Sequence, residues 1–198
     1  MPLVVDWDGT CTVRDTLLLV VNEFGDPSLE EELDAALAAG TMTHAAVMDA
    51  EFASVSAPLD EVVAFVVERA ELRPGFHELF ERFGPLVLSS SFRQTIEPVL
   101  AREGVVAEVV ANSVEARPDG WVIHHLAPEP CAACGQACKR GLLPPGEVTY
   151  VGDGYSDRCA ALAAHRVFAR DGLASYLADQ GVSFEPFDTL HDVVAALS

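Results

Sequence analysis

Hydrophobic and polar residues follow two different patterns along this chain, one before residue 73 and one after it. A short apolar run at 2–7 predicts a buried strand. The residues that follow repeat their apolar positions every three or four residues, which is the period of a helix with one buried face. This period predicts four helices, at 14–24, 28–39, 43–54 and 58–70. No further run typical of a strand occurs before residue 85, so we expect an all-helical block between the first two strands.

From Arg73 onward, short apolar runs alternate with helical periodicity. The runs predict strands at 86–88, 107–111, 147–151 and 166–169. The periodic stretches predict helices near 75–83, 92–103, 136–143, 155–164, 172–180 and 188–197. The turn residues Pro118-Asp119-Gly120 lie between two extended segments and predict a hairpin over 112–125. Strands that alternate with helices are typical of a parallel sheet covered on both faces.

The two patterns together predict an α/β fold with a doubly wound, mainly parallel sheet and a Rossmann-like core. The helical block would be a small cap inserted after the first strand. We expect residues 1–13 and 74–198 to form the core and residues 14–73 to form the cap. Exposed apolar residues of the cap could support a homodimer.

Composition narrows the class of partner. Of the 198 residues, 50% are hydrophobic and 22% are charged, which is typical of an ordered globular protein. The net charge of −19 argues against nucleic acid as a partner, because phosphate backbones require Lys and Arg. No apolar run is long enough to span a bilayer and no signal sequence opens the chain, so we expect a cytoplasmic protein without a membrane segment.

Acidic side chains follow two of the predicted strands. Asp6 and Asp8 come directly after the first strand, in Asp6-Trp7-Asp8-Gly9-Thr10, and Asp153 and Asp157 follow the strand at 147–151. Ligands of open α/β sheets bind at the carboxyl ends of the strands. Paired carboxylates there can attack an electrophile, transfer a proton and share a divalent cation. An Asp-x-Asp-Gly-Thr sequence alone is also common in ordinary turns, so the other strand ends decide the interpretation.

Two further features complete the set. Ser89, Ser90 and Ser91 follow the strand at 86–88 and precede a helix, where hydroxyls and free amides can bind an oxyanion. Lys139 is the only lysine of the chain, against eleven arginines, and it lies between the serine run and the second acidic pair. Ser90 and Ser91 could instead serve only as loop and helix-capping residues.

In the segments that contain Asp6, Ser89, Lys139 and Asp153, the chain resembles the phosphatase branch of the haloacid dehalogenase (HAD) superfamily. Its helical insertion resembles the cap of the phosphoserine phosphatase group. The resemblance implies an α/β hydrolase that cleaves a small phosphate monoester with Mg²⁺. It implies that Asp6 is the nucleophile and forms an aspartyl-phosphate, while Asp8 is the general acid and base. Ser89 and Lys139 would bind the phosphoryl oxygens.

The same resemblance implies the remaining site residues. Magnesium would be held by Asp6, by Asp153 and by the backbone carbonyl of Asp8. Asp157 would lie near the metal or orient Lys139. The residues expected to bind substrate are Gly9, Thr10, Asp15 and Ser90. Asp15 lies where phosphoserine phosphatases carry a glutamate that binds the substrate's amino group, and it could equally be an acid at the start of a helix.

Other readings within and outside the superfamily stay open. The acid Asp8 favours a phosphatase or a phosphomutase over a dehalogenase, and a non-catalytic binding protein of the same fold is a third alternative. Ser89-Ser90-Ser91-Phe92 departs from the phosphoserine enzyme, whose carboxylate-binding arginine would correspond to Arg69 or Arg73 here. The cysteine-rich approach to Lys139 resembles the methionine-salvage methylthiopentenyl-phosphate phosphatase and the phosphoethanolamine/phosphocholine phosphatases instead.

The cysteines also allow a structural metal site. Cys131, Cys134 and Cys138, with His124 or His125, could bind zinc tetrahedrally. The alternative is that they are free thiols. The remaining two cysteines, Cys11 and Cys159, are expected to be small hydrophobic residues beside the catalytic strands.

Overall fold

One seven-stranded sheet forms the centre of the computed structural model, which describes residues 1–127 and 129–198. The strands are β1 (Leu3–Val5), β2 (Leu86–Phe92), β3 (Val109–Glu115), β4 (Val122–His124), β5 (Thr149–Gly152), β6 (Arg166–Ala169) and β7 (Glu185–Pro186). Their order across the sheet is β4-β3-β2-β1-β5-β6-β7. Every neighbouring pair is parallel except β3 and β4, which are antiparallel. The predicted α/β fold with a mainly parallel sheet is confirmed.

Most of the helices lie where the periodicity predicts them. The first four, between β1 and β2, are α1 (Thr16–Phe24), α2 (Glu30–Ala38), α3 (His44–Phe52) and α4 (Leu59–Arg69). The others are α5 (Phe76–Phe83), α6 (Arg93–Arg102), α7 (Arg158–Ala161), α8 (Asp171–Asp179) and α9 (Leu190–Leu197). Two of the first helices begin at side-chain caps, Asp15 for α1 and Thr43 for α3. Among the described residues, no helix has both the length and the apolar character that crossing a membrane requires.

Helices cover the sheet on both faces. Successive strand residues point to opposite faces, so Val5 belongs to one hydrophobic cluster and its neighbour Val4 belongs to the other. The first cluster includes α5, α6 and α9, and the second includes α7 and α8. This two-sided burial explains why the strands read as continuous apolar runs rather than as alternating ones.

The helical block packs on the core through aromatic side chains. The ring of Phe52 at the end of α3 lies edge-on to Phe92, with centroids 4.7 Å apart, and it stacks on Trp121. The indole Nε1 of Trp121 donates a hydrogen bond to the carbonyl of Ala57. Gly120 has φ +126°, and a Cβ there would lie 2.3 Å from a carbonyl oxygen of the block, so the hairpin turn needs this glycine.

The chain leaves and re-enters the core at one place. Thr12 and Leu72 form an isolated antiparallel bridge, and the N–H of Val13 donates to the carbonyl of Glu71. Because the two crossings lie side by side, we propose the division that the sequence predicts, with a cap at 14–73 and a core at 1–13 and 74–198.

A few elements differ from the predictions. β3 continues through 109–115 and pairs with both β2 and β4, where a shorter strand followed by a separate hairpin was expected. The helix predicted at 136–143 is a 3₁₀ turn over Lys139–Leu142. The helix predicted at 155–164 is a 3₁₀ turn over Tyr155–Asp157 followed by the four residues of α7, and the Asp157 carboxylate caps the amides that precede it. The two-residue strand β7 is too short to leave a pattern in the sequence.

Candidate active site

The first site residue lies directly after β1. Asp6 is 5% exposed, and its Oδ1 accepts hydrogen bonds from the N–H of Trp7, at 2.7 Å, and from Lys139 Nζ, also at 2.7 Å. These bonds within the described residues engage only one oxygen of the Asp6 carboxylate. Residues 7–11 then form a single wide turn in which Gly9 has φ +70°, a conformation that favours glycine.

Lys139 lies between two carboxylates. Its ammonium is 2.7 Å from Asp6 and 2.7 Å from Oδ1 of Asp157, and all three side chains are buried. Burial alone would lower the pKa of Lys139, but the charges of Asp157 and Asp6 outweigh it and raise the pKa. The Lys139 ammonium is therefore charged wherever the fold is intact.

Asp157 is satisfied at both oxygens. Oδ1 accepts from Lys139 and from the hydroxyl of Tyr150, each at 2.7 Å, and Oδ2 accepts from the amides of Asp153 and Gly154. Burial opposes its charge, but Lys139 and these donors lower its pKa below the usual range. Three donors other than Lys139 thus fix the Asp157 carboxylate against the ammonium.

Asp153 approaches the loop after β1 closely. The hydroxyl of Thr10 donates to Oδ1 of Asp153 at 2.6 Å, and a Cβ on Gly9 would lie 2.2 Å from Oδ2. Burial, followed by the charge of Asp157, raises the pKa of Asp153 to about 7. Gly9 and Thr10, expected to bind substrate, here place Asp153; a contact with substrate stays a prediction for both.

Asp8 is hydrogen-bonded to the start of α1 in the helical block. Its Oδ1 accepts from both the N–H and the hydroxyl of Thr16, at 2.7 and 2.6 Å. Burial and the nearby charge of Asp15 raise the pKa of Asp8 to about 7, while the Thr16 hydrogen bonds act in the opposite direction. A carboxyl with a pKa near neutrality can both give and take a proton at working pH.

The serine run lies beside the two aspartates. The Ser89 hydroxyl accepts a hydrogen bond from the N–H of Ser91, and the side chain of Asn112 donates to the carbonyl of Ser90. Ser91 is 1% exposed, and its hydroxyl has no hydrogen-bond partner among the described residues, although it lies near Asp8 and lowers its pKa. A buried hydroxyl in a polar cavity without a partner is suited to bind a polar ligand. In the sequence, nothing distinguishes Ser91 from an ordinary capping residue.

Arg73 is hydrogen-bonded to the loop after β1. Its guanidinium donates to the carbonyls of Gly9, Thr10, Thr12 and Asp188. Arg69, the other arginine considered for a substrate carboxylate, lies over the ring of Phe65 on α4. Neither arginine lines the cavity above Asp6 and Asp8.

A cavity of about 320 Å³ opens above these residues, between the sheet and the helical block. Asp6, Asp8, Asp153 and the three serines form its floor. The helical block contributes four acids and several apolar side chains to the wall, namely Asp15, Glu30, Asp34, Glu51, Leu17, Leu18, Leu37 and Val47. No lysine or arginine lines this cavity among the described residues. Burial and the neighbouring acids raise the pKa of Glu51 to about 7.

Several residues of the cavity wall were not predicted from the sequence. Glu51 and Asp34 were not predicted, because exposed and cavity-facing acids of an amphipathic helix look alike in sequence. His44 stacks on Tyr155 across the cavity, with centroids 5.9 Å apart, and burial lowers its pKa to about 4. Asp15, which was predicted, caps α1 through Leu17 and Leu18 and also lines the cavity. Both interpretations of Asp15 are therefore compatible with its position.

The carboxylates fit a hard divalent cation. Oxygens from Asp6, Asp153 and Asp157 lie within 4.8 Å of one another, and Lys139 is the one ammonium among them. Burial and the Asp157 charge raise the pKa of Asp6, as they do for Asp153, so negative charge here is undercompensated. Magnesium prefers such oxygen ligands, and its charge would favour the ionised carboxylates.

The second group of potential metal ligands differs from the expected one. Sγ atoms of Cys131, Cys134, Cys138 and Cys159 lie within 4.8 Å of one another. Cys159 was expected in the core but is only half-buried, because α7 turns it toward the loop before Lys139. The two histidines pair elsewhere, His124 with Glu115 and His125 with Asp49, so neither belongs to this group of sulfur atoms.

Comparison with known proteins identifies the class. Residues 3–162 match the sequence profile of the haloacid dehalogenase-like hydrolases. The chain belongs to this family, and it is a HAD-family phosphatase; the predictions of family and enzyme class are confirmed.

Individual relatives refine the comparison. The chain is 28% identical to the 2-hydroxy-3-keto-5-methylthiopentenyl-1-phosphate phosphatase of Bacillus cereus strain G9842, over 95% of this chain and 91% of the relative. A phosphoserine phosphohydrolase-like protein from Francisella tularensis has the same fold, with a TM-score of 0.70, 16% identity and coverage of 100% and 99%. A phospho-aspartyl intermediate analogue of phosphoserine phosphatase superposes with a TM-score of 0.71, at 15% identity and coverage of 98% and 97%.

Proposed function

We propose that this protein is a magnesium-dependent phosphomonoesterase that works through an aspartyl-phosphate at Asp6. One observation carries the proposal. The Asp6 carboxylate lines the cavity, Lys139 and the Trp7 amide hold its Oδ1, and Asp8 lies beside it with a pKa of about 7. A fixed nucleophile next to a poised acid is the arrangement that two-step phosphoryl transfer requires.

In the first step, the free oxygen of Asp6 attacks phosphorus and the ester P–O bond breaks. Asp8 gives its proton to the leaving alcohol oxygen, so the alcohol departs neutral. In the second step, Asp8 takes a proton from water as the water oxygen attacks phosphorus. The acyl-phosphate P–O bond then breaks, which releases inorganic phosphate and restores the Asp6 carboxylate.

The surrounding donors would stabilise the negative charge that develops on the phosphoryl group. Lys139 would contribute its ammonium, and the Ser89 and Ser91 hydroxyls would donate hydrogen bonds. Magnesium, held by Asp6, Asp153 and the backbone carbonyl of Asp8, would supply positive charge to the phosphoryl oxygens. Asp157 orients Lys139 through one hydrogen bond, and its three other hydrogen bonds, from Tyr150, Asp153 and Gly154, keep the carboxylate in place.

The cavity wall limits the substrate. Four carboxylates of the helical block, with no arginine lining the cavity among the described residues, disfavour an alcohol that carries its own anionic group, as phosphoserine does. Leu17, Leu37 and Val47 offer an apolar surface beside these acids. We therefore propose a small phosphate ester with a neutral or cationic alcohol. The methylthiopentenyl phosphate named for the Bacillus relative is the first candidate of this class.

A cationic alcohol is the second candidate, and the acids of the wall favour it. Asp15, Glu30, Asp34 and Glu51 all line the cavity within the described residues. An ammonium group such as that of phosphoethanolamine would find opposite charge there. This arrangement would not discriminate between ethanolamine and choline esters by charge alone.

Phosphate release from a panel of esters tests the proposal. The panel contains the methylthiopentenyl ester, phosphoethanolamine, phosphocholine, phosphoserine and an aryl phosphate, each with magnesium or with EDTA. We expect magnesium-dependent release that Asp6→Asn abolishes, with phosphoserine the poorest alkyl ester. Phosphate release by Asp6→Asn at the wild-type rate would contradict the assignment of the nucleophile. Transfer of the phosphoryl group between two positions of one substrate, without release, would indicate a phosphomutase.

A further inference from the structure

Four cysteines from two separate parts of the chain converge beside the active site. Cys131, Cys134 and Cys138 lie in the loop between β4 and β5, and Cys159 is the second residue of α7. Their sulfur atoms lie within 4.8 Å of one another, and the pair Cys131–Cys159 is 4.0 Å apart. Four sulfurs bound tetrahedrally at about 2.3 Å from zinc would be about 3.8 Å apart. The cluster is therefore already close to the size of a tetrahedral zinc site.

The turn at Cys131 is built to hold a thiolate. The N–H of Ala133 donates to Cys131 Sγ at 3.4 Å, and the N–H of Gly135 donates to the Cys131 carbonyl at 2.7 Å. Gly135 has φ +72° with no atom near its Cβ direction, so the backbone conformation alone favours glycine here.

Ordinary burial does not explain this grouping. Free cysteines are usually small hydrophobic residues of a core, but Cys134 is exposed and the other three are only half-buried. The segment Cys131–Cys138 reads Cys-Ala-Ala-Cys-Gly-Gln-Ala-Cys and contributes no side chain to either hydrophobic cluster. Apolar packing therefore does not account for the position of this segment beside α7.

We propose that Cys131, Cys134, Cys138 and Cys159 bind one structural zinc ion. Zinc takes four thiolates in closed tetrahedral sites, and such sites stabilise folded structure instead of performing catalysis. Cys138 directly precedes Lys139, and Cys159 follows Asp157 by two residues. The ion ties the loop that carries Lys139 to the helix behind Asp157, and so fixes the ion pair between these two side chains.

Metal analysis of the purified protein tests the site. Cells are grown with added zinc, the protein is dialysed against metal-free buffer, and zinc is measured by plasma mass spectrometry. We expect about one zinc per chain in the wild type and less than about a tenth in Cys131→Ser and in Cys159→Ser. The fifth cysteine provides the matched control, since Cys11 is buried away from the cluster, and Cys11→Ala should keep its zinc.

A second measurement covers variants that fold poorly. Wild-type protein is refolded with Co²⁺, whose thiolate complexes have intense charge-transfer absorption in the near ultraviolet. We expect this band in the wild type and in Cys11→Ala, and a weaker, shifted band in Cys159→Ser. Protein that binds neither zinc nor cobalt at the thiols would overturn the proposal. So would an intact mass showing a disulfide within the cluster, or full zinc binding in Cys159→Ser.

Discussion

The ammonium of Lys139 lies 2.7 Å from Oδ1 of Asp6, and both groups are buried. The single lysine of the chain is thus paired with the proposed nucleophile. We propose that Lys139 pairs with the buried carboxylates in the resting enzyme and binds the phosphoryl oxygens during the reaction.

Removing this charge should affect both activity and stability. In Lys139→Met, the buried carboxylates of Asp6 and Asp157 lose their cation, so we expect unfolding free energy to fall by about 3–5 kcal/mol. We also expect kcat to fall by about 10³-fold, because phosphoryl charge is no longer compensated. Urea unfolding and steady-state kinetics measure the two effects. Arg140→Met removes the same charge one residue away and should change neither by more than about twofold in kcat or 0.5 kcal/mol.

The role of Asp8 predicts a dependence on the leaving group. Asp8→Asn cannot protonate the departing oxygen, so kcat for an alkyl phosphate should fall by about 10²–10⁴-fold. An aryl phosphate leaves without full protonation and should lose much less in its first step. Burst kinetics with the aryl ester should then show the first step before the slow hydrolysis. An equal loss in the first step for both esters would contradict the assignment of Asp8 as the acid.

The raised pKa values of Asp8 and Asp153, both about 7, predict how stability changes with pH in protein freed of metal. In the unfolded chain these groups titrate near 4, so between pH 4 and 7 the folded state binds more protons. Stability is then greatest at the acidic end of this window and falls as pH rises toward 8. Thermal unfolding in EDTA should give a higher Tm at pH 5.5 than at pH 8.

A variant pair isolates the source of this dependence. Asp153→Asn should raise the metal-free Tm at pH 8 and flatten the pH profile, corresponding to about 1–3 kcal/mol at pH 8. The same variant should lose the stabilisation that added magnesium gives the wild type. Asp119→Asn, in the exposed hairpin turn, provides the control and should follow the wild-type profile. A Tm that rises steadily from pH 5.5 to 8 in EDTA would contradict the prediction.

The acidic wall predicts the direction of a specificity change. Glu51→Gln removes one wall charge at nearly constant volume, so kcat/KM for phosphoserine should rise several-fold and that for phosphoethanolamine should fall. Glu32→Gln makes the same change on the exposed side of α2 and serves as the control. The ratio of the two kcat/KM values, measured in one buffer, is the readout. An unchanged ratio in Glu51→Gln would mean that the wall does not contact the alcohol.

The sequence predicted those parts of the molecule that depend on local patterns. Hydrophobic periodicity predicted the four helices between β1 and β2 and the positions of β1, β2 and β5, and motif spacing placed Asp6 and Asp157 after neighbouring strands. It did not predict the end of β2, which continues through the serine run to Phe92 instead of stopping at residue 88. The wall acids did not follow, since whether Glu51 faces solvent or the cavity depends on how α3 packs on the core. Cys159 was missed for a similar reason: its three partners lie in a loop whose path no periodicity predicts.

The identity of the nucleophile can be tested directly on the protein. Asp8→Asn is mixed with substrate and magnesium, quenched in acid and reduced with borohydride, which converts an aspartyl-phosphate to homoserine. Peptide mass spectrometry then locates the modified residue. Our account predicts homoserine at position 6, dependent on substrate and magnesium. Absence of the modification at Asp6, together with homoserine at another aspartate, would contradict it.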